Sequence, residues 1–158
     1  MKNPKAFILL FISILFLTAC DPGMVYDQFR ETGDNMWSWD EEMVFEVDMQ
    51  EPDEFYDIYI NIRHTKEYPK SNLYVFLSID GPNNAETRDT IDIAIANARG
   101  KWLGSGFGDV KFVRKKIREK VRFSFPGKYV FTIEQGMRIE NVPVTDVGLR
   151  IEEYKSLN

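Results

Sequence analysis

Met43-Val44-Phe45-Glu46-Val47-Asp48-Met49 is the stretch that decides the fold. Apolar side chains occupy every second position of this stretch, whereas Glu46 and Asp48 stand between them. Successive side chains of a β-strand point to opposite faces, so this alternation predicts a strand with one buried face and one solvated face.

The same alternation recurs along the rest of the chain. The apolar positions of the further runs are Tyr56, Ile58, Ile60 and Ile62; Leu73, Val75, Leu77 and Ile79; Ile91, Ile93 and Ile95; Val121, Phe123 and Phe125; Tyr129, Phe131 and Ile133; and Val147, Leu149 and Ile151. Val25 to Phe29 is predicted to add an edge strand, and Pro- and Gly-containing turns separate the runs. Only residues 111–120, with Val113 and Ile117 four apart, offer a possible helical period. Many short strands without a βαβ rhythm predict an all-β protein, an antiparallel β-sandwich of the immunoglobulin-like or jelly-roll type.

The N-terminus has the features of a lipoprotein signal peptide. Lys2 and Lys5 precede an apolar run from Ala6 to Leu17, and Leu17-Thr18-Ala19-Cys20 reads as a lipobox. The apolar run is shorter than the roughly 20 residues that a spanning helix needs. We therefore expect residues 1–19 to be a signal peptide cleaved between Ala19 and Cys20, residues 20–24 to be an acylated tether, and residues 25–158 to form one sandwich domain.

Lipidation of Cys20 determines the expected location. Each buried CH₂ contributes about 0.8 kcal/mol, and one acyl chain alone binds marginally, so the two or three chains of a lipoprotein hold it stably at a membrane. We expect a lipid-anchored protein of the cell envelope, at the periplasmic side of the outer membrane, with the inner membrane left open. Cys20 is the only cysteine, so no disulfide or thiol chemistry is expected once it is acylated.

The titratable residues show no catalytic pattern. His64 is the only histidine and ends a predicted strand, where a solvent-facing or hydrogen-bonded role is expected. The carboxylate clusters Asp40-Glu41-Glu42 and Asp53-Glu54 flank turns, and no stretch matches a calcium loop. We expect no enzyme activity, no metal and no cofactor apart from the covalent lipid.

A glycine-rich stretch from residue 102 to residue 109 is the first candidate for partner binding. Its glycine spacing matches neither dinucleotide nor phosphate-loop motifs, so no nucleotide is expected. Two interpretations stay open, an exposed recognition loop and a tight connection between the two sheets. The candidate residues are Trp102, Gly104, Gly106, Phe107 and Asp109.

A basic segment follows directly, over residues 111–122. Arg114, Lys115 and Lys116 are its central cations and complete the set of candidate partner-binding residues. Nucleic acid is not expected outside the inner membrane, whereas anionic lipid headgroups or an acidic protein are suitable partners. A solvated edge strand whose lysines prevent edge-to-edge pairing is the alternative.

Aromatic residues raise a different possibility. Trp37 and Trp39, with Tyr26 and Phe29 nearby, and Trp102 resemble the stacking platforms of carbohydrate-binding sandwiches. The same rings can equally close one end of the core. A glycan- or peptidoglycan-binding module is therefore the alternative function.

Several short sequence motifs together resemble one family. They are Val25-Tyr26-Asp27 after the lipobox, Ile58-Tyr59-Ile60-Asn61-Ile62-Arg63 leading into Tyr68-Pro69 and Ser71-Asn72-Leu73, Arg88-Asp89-Thr90, Gly100-Lys101-Trp102-Leu103-Gly104 through Asp109, Gly127 to Gln135 with Met137-Arg138, and Asp146 to Glu152. Their order and spacing from Cys20 to about Glu152 resemble the gliding-motility lipoprotein family GldH of Bacteroidetes.

The resemblance implies an envelope lipoprotein needed for gliding over surfaces and tied to the type IX secretion system. It implies other gliding or secretion proteins as partners, and no enzymatic activity. Two segments depart from the family pattern, residues 95–99 and the unusually basic stretch between Asp109 and Val121.

Overall fold

A computed structural model describes residues 23–51 and 53–156 of the chain. The predicted signal peptide, its cleavage site at Ala19 and the lipidation site Cys20 lie outside these described residues. The domain predicted to begin at residue 25 lies within them, except for residues 52, 157 and 158.

Ten strands and two short 3-10 turns make up the described chain. In chain order the elements are β1 (Met24–Glu31), a 3-10 turn (Gly33–Asn35), β2 (Trp37–Ser38), β3 (Met43–Met49), β4 (Tyr56–Thr65), β5 (Asn72–Gly81), a 3-10 turn (Pro82–Asn84), β6 (Ala85–Ala94), β7 (Val110–Val121), β8 (Gly127–Gln135), β9 (Asn141–Val142) and β10 (Val144–Glu153). The second turn contains Asn83 and Asn84 with positive φ angles of 61° and 57°, a conformation that asparagine tolerates better than most residues.

Two four-stranded sheets form the sandwich. The first sheet has the strand order β1-β10-β4-β7, the second has the order β3-β8-β5-β6, and β2 pairs with β9 in a small separate ladder. Neighbouring strands run antiparallel throughout these sheets. The predicted all-β antiparallel sandwich is confirmed.

The core lies between the sheets and follows the alternation of the sequence. In β3 the burial pattern is strictly alternating, with Phe45 and Met49 fully buried. The central strands β4 and β10 are buried on both faces over much of their length, because polar and aromatic side chains cover the outer face of the first sheet.

Two sequence predictions need correction, and two short strands were missed. The possible helix at residues 111–120 is wrong, because these residues form β7. The strand predicted over residues 121–125 is also wrong, because β7 ends at Val121 and Phe123 reaches the core from the connection to β8. The short strands β2 and β9 were not predicted. An edge strand such as β7 is solvated on much of its surface, so cations occupy consecutive positions and hide the strand period.

The sandwich has two unlike ends. At one, the tether end, Gly23 enters β1, and short connections join β3 to β4, β5 to β6 and β7 to β8. At the other, the loop end, residues 95–109 join β6 to β7, residues 66–71 join β4 to β5, and β2 and β9 lie within the remaining connections.

Candidate functional site

The longest connection at the loop end is fixed to the sandwich at several points. Trp102 is half-buried, pairs with Ala96 in an isolated bridge and lies 5.0 Å from the His64 ring, centroid to centroid. Ser105 and Phe112 exchange two backbone hydrogen bonds of 3.0 and 2.7 Å. The connection is therefore packed against the sandwich, as the tight-connection interpretation requires.

Its tip is nonetheless an exposed aromatic side chain. Phe107 is fully exposed, and Leu103 is 54% exposed. Asp109 forms an ion pair of 2.9 Å with Lys66, while the Lys111 ammonium donates to the carbonyl oxygens of Gly106 and Gly108. A rigid loop that presents a phenylalanine to solvent is typical of an interaction surface.

The glycines of the connection serve packing. A Cβ at Gly104 would lie 2.5 Å from the Phe112 carbonyl oxygen, and one at Gly106 would lie 2.4 Å from that of Val110. Gly106 also has a φ of +149°, which favours glycine. Gly104 and Gly106, predicted as partner-binding residues, let the loop backbone approach β7.

His64 is buried beneath this connection. Its Nδ1 donates to the Thr65 carbonyl oxygen at 2.9 Å, and its ring contacts Tyr68 as well as Trp102. Its Nε2 is buried without a hydrogen-bond partner among the described residues. The hydrogen-bonded interpretation is confirmed and the solvent-facing one is wrong, because His64 points into the core with Ile60 and Ile62.

Burial is the main reason why the pKa of His64 lies below its ordinary value, and the positive charge of Lys111 adds to the effect. The unfolded chain therefore binds a proton that the folded chain does not, once the pH falls below about 6.5. We expect the free energy of unfolding to be constant near pH 7.5 and to decrease as the pH falls from about 6.5 to 5.5. Urea titrations of the protein and of His64→Gln would measure this decrease. His64 is the only histidine, so an equal decrease in the variant would contradict the assignment.

The basic segment is divided between two sides of the molecule. Arg114 and Lys116 extend over the outer face of the first sheet, where Arg114 donates to the Asn61 side-chain oxygen at 3.0 Å. Lys115 pairs across the strands with the core residue Ile60, and together with Arg114 it lines a groove at the edge of the sandwich. The three predicted cations thus do not all point to one sheet face, and Lys115 has the position of an inward-pointing charge that protects an edge strand.

Cations and aromatic rings alternate on the outer face of the first sheet. We call this set, Phe29, Tyr59, Arg63, Phe112, Arg114 and Lys116, the cation–aromatic ladder. The Arg63 guanidinium lies 4.2 Å from the Phe29 ring centroid, and Arg114 lies 5.6 Å from Phe112 and 5.8 Å from Tyr59. Lys116 continues the series at 5.5 Å from Tyr59. These distances suit cation–π attraction, so the ladder is held in a fixed arrangement.

Carboxylates on the same sheet face pair with the cations of that face. Arg150, only 6% exposed, bonds to Asp27 at 2.5 Å and to Glu152. Asp57 accepts from Lys116 at 2.6 Å and from the Lys120 backbone N–H at 2.9 Å. Burial alone would raise the pKa of Asp57, but these hydrogen bonds lower it below its ordinary value.

The centre of this face is closely packed. Asn61 is fully buried, and its Nδ2 has no hydrogen-bond partner among the described residues. Gly148 lies beside it, and a Cβ at Gly148 would come within 2.9 Å of the Phe29 ring. The glycine allows Phe29 to lie flat over the sheet.

The candidate residues predicted from the sequence leave out most of this outer face. Asp57, Tyr59, Asn61 and Arg63 alternate with apolar positions in β4, and Asp146 to Glu152 do the same in β10. The two runs pair directly, with Asn61 opposite Gly148 and Tyr59 opposite Arg150. A comparison of the polar positions of both runs would have suggested a shared face. These residues belong to the sequence motifs that carry the family resemblance.

The tryptophans do not form a common platform. Trp37 is fully buried and donates its indole N–H to the Glu41 carbonyl oxygen at 2.9 Å, so it presents no face to a sugar. Trp102 packs on His64, and only Trp39 is largely exposed, at 60%. The stacking platform of Trp37, Trp39 and Trp102 is therefore not present.

The described part of the chain contains neither a metal-binding cluster nor a helix that could cross a membrane. Within residues 23–51 and 53–156, no three His, Cys, Asp or Glu side chains converge in a way that would hold a metal ion. No helix in this same part is long and apolar enough to cross a membrane.

The fold and these surfaces define an antiparallel β-sandwich with a fixed aromatic loop at one end and a cation–aromatic sheet face. Known proteins are similar to this chain along almost its whole length. The family model described as GldH lipoprotein matches residues 24–151. The chain belongs to the GldH lipoprotein family.

Two relatives are similar over nearly their full length. The gliding motility lipoprotein GldH homolog of Christiangramia forsetii is 37% identical, over 94% of this chain and 95% of that protein. The gliding motility lipoprotein GldH of Flavobacterium johnsoniae is 32% identical, over 97% of this chain and 99% of that protein. Among solved structures, the Yersinia pseudotuberculosis-derived mitogen covers 84% of this chain and 90% of its own at 7% identity. Its TM-score of 0.37 is too low to support an argument.

Proposed function

We propose that this protein is an accessory or scaffold component of gliding motility and of the associated type IX secretion machinery. Membership of the GldH lipoprotein family, with relatives named for gliding motility, is the observation that carries this proposal. The protein acts by binding other envelope proteins. It carries out no reaction and needs no metal or cofactor beyond its lipid.

The protein is held at a membrane by acyl chains on Cys20, at the periplasmic side of the outer membrane. The lipobox and the family support the lipid anchor, whereas the choice of membrane and side is part of the proposal. Replacing Cys20 with alanine is expected to abolish labelling by a fatty-acid probe and to move the protein from the membrane fraction to the soluble fraction. Acyl labelling that persists in Cys20→Ala would contradict the lipobox assignment.

The partner-binding surface lies at the loop end, at Phe107. A fully exposed phenylalanine on a fixed loop buries apolar area only when a partner covers it. Arg114, which bonds to the neutral Asn61, leaves a positive charge at the edge of the neighbouring sheet face. Together they suit a partner with an apolar pocket and nearby carboxylates.

The first experiment is the secreted-protein profile of a deletion strain, with surface spreading scored alongside. Missing adhesins and other type IX cargo would support a role in secretion, and lost spreading with a normal secretome would confine the protein to motility. Normal results in both would contradict the proposal.

Complementation then tests the surface. We expect Phe107→Asp to fail to restore the deleted function, because a carboxylate cannot enter an apolar pocket, and Trp39→Ala to restore it. Membrane-fraction blots of both variants control for abundance. The reverse outcome, with Trp39→Ala defective and Phe107→Asp functional, would favour the glycan-binding alternative.

A further inference from the structure

The N-terminal part of the described chain begins at Gly23, beside the end of β10. The Gly23 carbonyl accepts the Glu153 N–H at 2.8 Å, and Met24 pairs with Glu152 in the first sheet. Only residues 20–22 separate Gly23 from the start of the mature chain proposed above. An extended chain spans at most about 3.6 Å per residue, so the tether end must lie within roughly 15 Å of an acylated Cys20.

Apolar side chains are exposed at this end. Phe125 is 46% exposed and Phe55 is 38% exposed, and both precede a strand that starts at the tether end. Met24 and Val25, at the start of β1, are 46% and 41% exposed. The chain thus presents its apolar residues where its lipid anchor begins.

The backbone of Phe55 and Phe125 is held in place by hydrogen bonds. The Phe55 carbonyl accepts the Tyr154 N–H at 2.7 Å, and the Tyr129 hydroxyl donates to the Phe125 carbonyl at 3.0 Å. Because the backbone is fixed at both residues, inserting either ring into a lipid bilayer costs little conformational entropy.

Cations surround the Phe55 ring. The Lys120 ammonium lies 5.3 Å from its centroid and 5.5 Å from that of Tyr154, and the Arg122 guanidinium lies 5.6 Å from Phe55. Arg122 also pairs with Asp53, which is almost fully exposed. Aromatic rings flanked by long cationic side chains are typical of proteins at the level of lipid headgroups.

The loop end lies at the far side of the domain. β4 runs from one end to the other over ten residues, a length of about 33 Å at 3.3 Å per residue. Phe107 and the three tryptophans Trp37, Trp39 and Trp102 lie at that far end. When the strands stand upright on a flat bilayer, only one of the two exposed aromatic surfaces therefore contacts it.

We propose that the tether end is a second, non-covalent membrane contact, in which Phe55 and Phe125 insert among the headgroups of a lipid bilayer. This contact fixes the orientation of the domain and points Phe107 away from the membrane, towards a protein partner. The inference rests on the lipid anchor of the proposed function. Acidic residues of the same end, such as Asp53, offset Lys120 and Arg122, so the contact depends on the aromatic rings more than on anionic lipid.

Depth-dependent fluorescence quenching tests this orientation. The full-length acylated protein is reconstituted into phosphatidylcholine vesicles with brominated acyl chains, as Phe125→Trp and, as the matched control, Phe107→Trp. Rings inserted at a membrane interface lie about 5–10 Å deep. Phe125→Trp adds fluorescence to that of the native tryptophans, and we expect this added fluorescence to be roughly twofold lower in brominated than in unbrominated vesicles. We expect no loss for Phe107→Trp or for the three native tryptophans.

Three other outcomes overturn the inference. Quenching of Phe107→Trp, or equal emission of Phe125→Trp in both kinds of vesicle, would show that the tether end is not docked, although the anchor is intact. Protein that fails to float with the vesicles would overturn the anchor and the docking together. If the quenching of Phe125→Trp disappears when Phe55→Asp is combined with it, Phe55 also takes part in the membrane contact.

Discussion

Replacing Phe131 with alanine is expected to cost about 3–5 kcal/mol of the free energy of unfolding, which is a large share of the stability of a domain of this size. Phe131 is fully buried at the centre of β8, paired with Phe45 on one side and Ile79 on the other. Its ring also lies 6.5 Å from that of Phe123. Removing it leaves a cavity that rigid strands on both sides cannot close.

Urea unfolding followed by circular dichroism would measure the loss as a lower transition midpoint at unchanged slope. The matched control is Phe107→Ala, the same substitution at a fully exposed site, for which we expect a change within about 0.5 kcal/mol. Equal losses in the two variants would show that the core is not arranged around β8.

Arg150→Met is expected to have the second large effect. Arg150 is buried on the outer face of the first sheet, between the carboxylates of Asp27 and Glu152. Methionine keeps much of the side-chain volume but leaves these carboxylates without their cation. We expect a loss of about 3 kcal/mol, at the lower end for a broken buried pair because both carboxylates are partly solvated.

An exposed ion pair provides the control for this variant. Lys128 and Glu46 approach to 2.8 Å, but both side chains are more than 60% exposed. Lys128→Met should therefore cost less than about 1 kcal/mol. If Arg150→Met were equally mild, the network on the outer face would contribute little to stability, and its cation–aromatic ladder would be free to serve binding alone.

Under the proposed function, stability and partner binding depend on different residues of the domain. Arg114 and Lys116 lie in a fixed ladder, whereas Phe107 is exposed at the loop end and makes no aromatic contact among the described residues. Variants of the ladder are expected to change stability and binding together. Variants of Phe107 change binding alone, which makes Phe107→Asp the sharper test of the partner surface.

Prediction of the fold from the sequence succeeded where one face of a strand is buried. The alternation of Met43 to Met49 predicted both the strand and its buried face, because period-two burial leaves a period-two pattern in the sequence. It failed at β7, since an edge strand has no buried face along much of its length and Arg114, Lys115 and Lys116 follow one another.

The candidate binding residues stay a prediction, but the structure adds what each of them contacts. The sequence pointed to the loop that carries Phe107, and the structure shows that Gly104 and Gly106 let this loop approach β7. It grouped Lys115 with Arg114, although neighbouring residues of a strand point to opposite faces.

By itself, the sequence determined the all-β class and the family, and it predicts the lipobox at Cys20, because these depend on local order and spacing. Only the tertiary structure decided that Asp27, Tyr59, Asn61 and Arg150 share one sheet face, and that Gly23 and Phe107 lie at opposite ends of the domain. Such neighbours come from strands far apart in the chain. Their contacts depend on strand order and register, which the pattern within any one strand does not specify.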